Sequence, residues 1–205
     1  MSWGFYNASG FLKVNTGREL VSTLPSSPVN GQEVFYQSST AGTGGGATNS
    51  MADVGAVWHL RYRSASSSSY KWEFVGGGSL GHAIATQETT TSGTYTDVAT
   101  VGPVVTLPLA GDYEITIGVE VSSSSASGGG NTSFSVSGAA ANTATDTDGI
   151  QIITGANANI PDSSSTTTQK TGLTAAAVTM RYRFALAGTA KFGKRKISIT
   201  PIRVG

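Results

Sequence analysis

Between residues 113 and 121 the chain alternates without a break. Tyr113, Ile115, Ile117, Val119 and Val121 are apolar, and Glu114, Thr116, Gly118 and Glu120 between them are not. A period of two puts every apolar side chain on one face of an extended strand and on no face of a helix, so this segment predicts a half-buried β-strand. Residues 178–186 repeat the pattern, with Val178, Met180, Tyr182, Phe184 and Leu186 in the apolar set and Arg181 and Arg183 opposite. Near the C-terminus, Ile197 and Ile199 change phase to Ile202 and Val204 across Pro201, as a bulge would produce. Composition agrees with strands: Gly, Ser and Thr occur 27 times each, fill 81 of 205 positions and are poor helix formers. Shorter strands are expected at 95–98, around Val105 and Leu107 with Pro108 at an edge or strand end, at 133–137, at 150–154 and from 194 to the end. About seven strands over residues 79–205 predict a β-sandwich, of jelly-roll type. Residues 122–131 and 155–170, rich in Ser, Thr and Gly, read as its long loops.

The preceding residues have a different character. Leu24-Pro25-Ser26-Ser27-Pro28-Val29-Asn30-Gly31 is a rigid extended run ending in a tight turn. Strand candidates follow at 34–37, 57–63 and 70–74; Trp58, Leu60 and Tyr62 share one face, as do Tyr70, Trp72 and Phe74. Residues 24–78 are therefore expected to form a small antiparallel β module around these six side chains. Gly76-Gly77-Gly78-Ser79 reads as a linker to the sandwich at 79–205. Residues 1–23 form a separate segment, in which Trp3, Phe5, Tyr6 and Phe11 need a surface to pack on.

Charge and chemistry narrow the function classes. The net charge is +1, yet all 12 acids lie within the first 162 residues, and the last 43 carry eight basic residues alone. The basics alternate with apolar residues, so they are expected to sit on strands beside Glu114, Glu120 or a neighbouring chain's acids, with direct nucleic-acid binding not expected. There is no cysteine, and no run approaches the roughly 18 apolar residues of a membrane span. The N-terminus lacks the pattern of a signal peptide, which predicts a protein made in the cytoplasm.

Catalytic equipment is sparse. His59 and His82 are the two histidines, and no Gly-x-Ser-x-Gly elbow accompanies them. Glu114 and Glu120 share a strand face but lie about 20 Å apart at ~3.3 Å per residue, too far for an acid–base pair. Asp146-Thr147-Asp148-Gly149 has a faint calcium-loop look without the further ligands, and an ordinary Asp-Gly turn accounts for it. Gly44-Gly45-Gly46 and Gly128-Gly129-Gly130 precede no Gly-Lys-Ser/Thr and read as loop tips. No enzyme, cofactor or metal is expected.

Three stretches carry a resemblance: residues 24–34 (Leu-Pro-Ser-Ser-Pro-Val-Asn-Gly-Gln-Glu-Val), 57–63 (Val-Trp-His-Leu-Arg-Tyr-Arg) and 70–77 (Tyr-Lys-Trp-Glu-Phe-Val-Gly-Gly). Together they resemble a module of tailed-bacteriophage virion proteins, the minor tail and tail-fibre proteins. The opening Trp3-Gly4-Phe5-Tyr6-Asn7 and residues 86–113 are similar to that family too, so the likeness spans the first half, and 122–205 match only in style. The resemblance implies a homotrimer on the virion, with Trp3, Phe5, Tyr6 and Phe11 docking onto other phage proteins. The β head would face a host-surface glycan or protein, without membrane insertion. It brings no catalytic residue. The alternative is a capsid decoration or head-fibre protein that stabilises or ornaments the shell.

Overall fold

The structure, a computed structural model, describes residues 20–40, 50–155, 157–186 and 188–205, together with the backbone of Phe5–Tyr6, Leu12–Lys13 and Thr48–Asn49. The first two of these dipeptides pair antiparallel as β1 and β2. Their side chains, and Trp3 and Phe11 entirely, lie outside the described residues, and the expected docking aromatics lie outside them too. The remaining elements are β3 (Leu20–Val21), β4 (Glu33–Tyr36), β5 (Thr48–Asn49), α1 (Met51–Val54), β6 (Trp58–Tyr62), β7 (Trp72–Gly77), β8 (Leu80–Ile84) and β9 (Glu88–Thr90). They continue as β10 (Val104–Thr106), β11 (Gly111–Ser123), β12 (Gly129–Val136), β13 (Ile150–Ile153), β14 (Asp162–Leu173), β15 (Ala177–Ala185) and β16 (Ala190–Val204), with a 3-10 turn at Asp146–Asp148.

The chain forms an all-β sandwich. One sheet runs β14-β11-β16-β7-β6-β4-β3, and the other runs β13-β12-β15-β10-β5. Strand β16 is the hub of the larger sheet. Its whole length pairs with β11 on one edge, and its other edge receives β9, β8 and β7 in turn. The alternating residues do what their period requires. Tyr113, Ile115, Ile117, Val119 and Val121 are buried against Phe134, Val136, Val178, Met180 and Tyr182 of the facing sheet. Burial of such side chains contributes roughly 1.5–3 kcal/mol each.

Two bulges control which residues of β16 face inward. Asp112 and Tyr113 pair with Arg203 and Pro201, so Ile202 is the extra residue and the phase change at Pro201 is a bulge, as the sequence suggests. The second lies where Gly118 and Glu120 pair with Lys196 and Gly193, with Lys194 in the left-handed region at φ 46°. It switches the inward set from Ala190 and Phe192 to Arg195, Ile197 and Ile199.

The expected linker does not separate two bodies of structure. Gly76 and Gly77 lie in β7; Gly77, at φ 128°, pairs with Trp58, and a Cβ there would run into the Val57 carbonyl. Strand β7 in turn pairs Glu73 and Trp72 with Arg203 and Val204. The Trp58 ring lies 6.4 Å from that of Tyr113, so the aromatics of residues 24–78 join the same core as the sandwich. Within that core Trp58, Leu60 and Trp72 are buried and Tyr62 and Phe74 pack against them, whereas Tyr70 is only half-buried.

Other expectations need correction. The loop read at 155–170 is largely strand: β14 pairs with β11 from Asp162 to Leu173, an edge strand whose serines and threonines give no apolar alternation. The loop read at 122–131 shrinks to residues 124–128, because β11 runs to Ser123 and β12 begins at Gly129. Residues 95–98 contribute a single bridge, Thr96 to Tyr182, in place of a strand. Ser50 caps α1 in a reciprocal box with Asp53, a short turn with no sequence expectation attached.

A candidate binding groove on the five-stranded sheet

On β15 the residues between the buried Met180 and Tyr182 and beyond point outward, which sets Arg181 and Arg183 side by side on the sheet's open face. Strand β12 runs next to them and presents Asn131, Ser133 and Ser135 in register with Arg183, Arg181 and Thr179. Two chain segments then cross this face: residues 92–97, tied down by the reciprocal Thr96–Tyr182 backbone bonds, and residues 142–148, tied by Asn142 to Val136. Between them lies a groove of about 700 Å³ lined by Gly93, Thr94, Tyr95, Ser135, Thr143, Thr145, Asp146, Arg181 and Arg183, with Thr96 and Ala144.

Asp146 is the focus of its polar network. Arg183 Nη2 donates to both carboxylate oxygens at 2.9 and 2.8 Å, the Tyr95 hydroxyl donates to Oδ1 at 2.7 Å, and Asn131 Nδ2 donates to the same oxygen at 3.3 Å. The Arg183 hydrogen bonds, then that of Tyr95, hold the Asp146 carboxyl below its ordinary pKa. Burial and the adjacent carboxylate push the Tyr95 phenol up to about 12. The Arg183 guanidinium lies 5.3 Å from the centre of the Tyr95 ring, in cation–π range. Arg181 is fixed separately, paired with Asp97 and donating from Nε to Ser135 Oγ at 2.9 Å.

The two acids of residues 146–149 therefore part company. Asp148 turns to the opposite side, is buried, and takes the Lys170 ammonium at 2.6 Å from across the sandwich. The histidines also go elsewhere: His59 Nε2 is 2.9 Å from Glu33 and its ring stacks on Phe35, while His82 sits beneath the sheet against the Val104 backbone. Of the eight C-terminal basics, Lys170, Arg181, Arg183, Lys194 and Arg195 pair with carboxylates among the described residues, Lys194 with Glu120 as the sequence suggests.

Chemically, the groove can recognise more readily than it can transform. A carboxylate kept ionised by a guanidinium is a weak general acid, and the remaining polar side chains are Arg181, itself paired with Asp97, and hydroxyls. The sequence shows the outward arginines through their alternation with Tyr182. It gives no sign that Asp146, 37 positions earlier, meets them.

No family model matches the chain, and neither does any curated protein. Among solved structures it is similar to dimeric latent PorU from Porphyromonas gingivalis at 13% identity and a TM-score of 0.33, over 62% of this chain and 13% of that one. It is also similar to infectious bursal disease virus Gx strain, at 7% identity and a TM-score of 0.29, over 72% of this chain and 43% of that one. The chain thus spans less than half the length of either. At such scores neither likeness bears on what this protein does.

Proposed function

We propose that this chain is a non-enzymatic structural protein of a tailed-phage virion, a minor tail or tail-fibre component that binds the host surface. The reading rests first on the resemblance carried by residues 24–34, 57–63 and 70–77. One observation supports it above the others: residues 24–34, 57–63 and 70–77 supply β4, β6 and β7 of one sheet, while the open polar groove lies on the other sheet, on β12 and β15, with only its wall at residues 93–96 drawn from the similar stretch 86–113. A division between an attachment side and a recognition side is what a tail component needs. A homotrimer whose N-terminal segment docks Trp3, Phe5, Tyr6 and Phe11 against other virion proteins belongs to the same proposal.

The test is immunogold electron microscopy of intact virions with antibody raised against residues 81–205, paired with native mass measurement of the purified chain. Gold at the tail tip and a mass three times the 20.9 kDa of the chain are the expected results. Gold spread over the head would replace this reading with a capsid decoration or head-fibre protein. Absence of the antigen from both intact and disrupted virions would remove the virion altogether.

A further inference from the structure

We infer that the groove between residues 93–96 and 143–146 is a binding site for a neutral polyhydroxylated ligand, a sugar unit of a glycan. That the glycan belongs to a host surface rests on the function proposed above; the chemistry of the site does not.

Charge decides the class. Arg181 and Arg183 are balanced by Asp97 and Asp146, each in a direct ion pair, so the groove offers no net charge to an ionic ligand. A phosphate, an anion, would be repelled by the Asp146 carboxylate, and an ammonium, a cation that only donates, would meet two guanidinium groups. A hydroxyl both donates and accepts. Asp146 presents what a hydroxyl needs: its side chain is 65% exposed, and among the described residues Oδ2 accepts a single bond, from Arg183, while Oδ1 takes three. Beside it, Arg183 spends Nη2 on Asp146 and Nη1 on the Phe184 carbonyl, so its remaining N–H capacity adjoins an ionised acceptor. Charge-assisted hydrogen bonds of this kind are about twice as strong as neutral ones.

Size and order agree. The groove volume of about 700 Å³ falls inside the roughly 300–1,000 Å³ range of small-ligand sites. Thr94, Thr96, Thr143 and Ser135 add hydroxyl-bearing residues to the rim. The charged side chains are already held by one another and by Ser135, Asn131 and Tyr95, so binding orders little that is not ordered beforehand.

The experiment is a titration of the isotope-labelled full chain, followed through its backbone amide NMR signals. The probes are the methyl glycosides of glucose, galactose, mannose, N-acetylglucosamine and rhamnose, with methyl glucuronide and inorganic phosphate as anionic comparisons. At least one neutral glycoside is expected to shift the amides of residues 93–96, 143–146 and 181–183 saturably. In Thr143→Trp, an exposed position where the indole fills the groove, the same titration should weaken by about tenfold or more. The amide spectrum of that variant reports directly whether its fold is kept. The proposal is overturned if no neutral glycoside moves these amides, if the shifts fall elsewhere, or if phosphate or glucuronide binds more tightly. A failed titration with gold at the tail tip would discard the groove and keep the tail assignment. Sugar binding by a protein missing from virions would do the reverse.

Discussion

Arg195 Nη2 lies 2.9 Å from Glu88 Oε2, and the arginine side chain has no exposed surface. The bulge at Lys194 turns this residue into the core. There Nη1 donates to the carbonyls of Thr100 and Gly102 at 3.1 and 3.3 Å, Nη2 donates to that of Thr86 at 3.4 Å, and the Tyr182 ring lies 5.5 Å away. Glu88 in turn accepts the Thr100 N–H and hydroxyl. One buried cation thus fastens residues 86–102, which have little strand pairing of their own, onto the hub strand.

Removing the cation should be costly, because it takes a donor from the Thr86, Thr100 and Gly102 carbonyls and leaves the nearly buried Glu88 carboxylate without its counter-charge. Arg195→Met is expected to lower unfolding free energy by about 3–5 kcal/mol in urea denaturation. Adding Glu88→Gln should recover part of that loss. If the single variant unfolds within ~0.5 kcal/mol of the parent, the pair is not what holds this segment.

Acid should destabilise the fold in two stages. Burial holds His82 below its ordinary 6.5, with the neutral ring's Nδ1 accepting the Val104 N–H at 3.0 Å. Below pH 6.5 the unfolded chain binds the proton first, so stability falls as pH drops towards the folded value. For Glu88, burial alone would raise the pKa, but the Thr100 hydrogen bonds and Arg195 outweigh it and hold the group below 4.5. Its contribution is full above 4.5 and is lost as pH falls through the folded pKa. Urea midpoints between pH 8 and pH 3 should show both limbs, and His82→Asn should erase the upper one alone.

Lys170 of β14 reaches Asp148 at 2.6 Å and lies 5.9 Å from the centre of the Phe134 ring, bridging one open side of the sandwich. Asp148 is buried, so Lys170→Met should leave it short of its main partner. A double-mutant cycle with Asp148→Asn is expected to give a coupling of roughly 0.5–3 kcal/mol. A coupling near zero would mean that β14 is held by its ladder to β11 alone.

Gly130 tests whether β12 truly begins before Asn131. A Cβ there would sit 2.5 Å from Phe192 Cζ, between the two sheets. Gly130→Ala is expected to cost about 1–3 kcal/mol, as overpacking does. Gly155→Ala, with nothing within 4 Å of the added carbon, should stay within about 0.5 kcal/mol. Equal effects would place both glycines in loops.

The sequence by itself determined how the strongly alternating segments divide between inside and outside. Tyr113 to Val121 and Val178 to Tyr182 bury the sets their period assigns, and the phase change at Pro201 marks a true bulge, whereas Leu186, assigned to the same set, lies past the end of β15 at φ 66° and is exposed. A period of two is written along one strand, and needs no neighbour to be read. The tertiary structure decided the rest. Residues 162–173 carry no apolar set and become a strand because β11 offers them an edge to pair with. Gly77, Gly129 and Gly130 look like flexible punctuation, yet they lie in strands where another backbone or ring comes close. Arg195 is in phase with Ile197 and Ile199 but out of phase with Phe192, and the bulge at Lys194 is what lets one strand bury both sets. The groove joins Asp146 to Arg183 and Tyr95 from three distant stretches of chain. Each depends on a partner supplied by another segment, and local pattern contains no record of such partners.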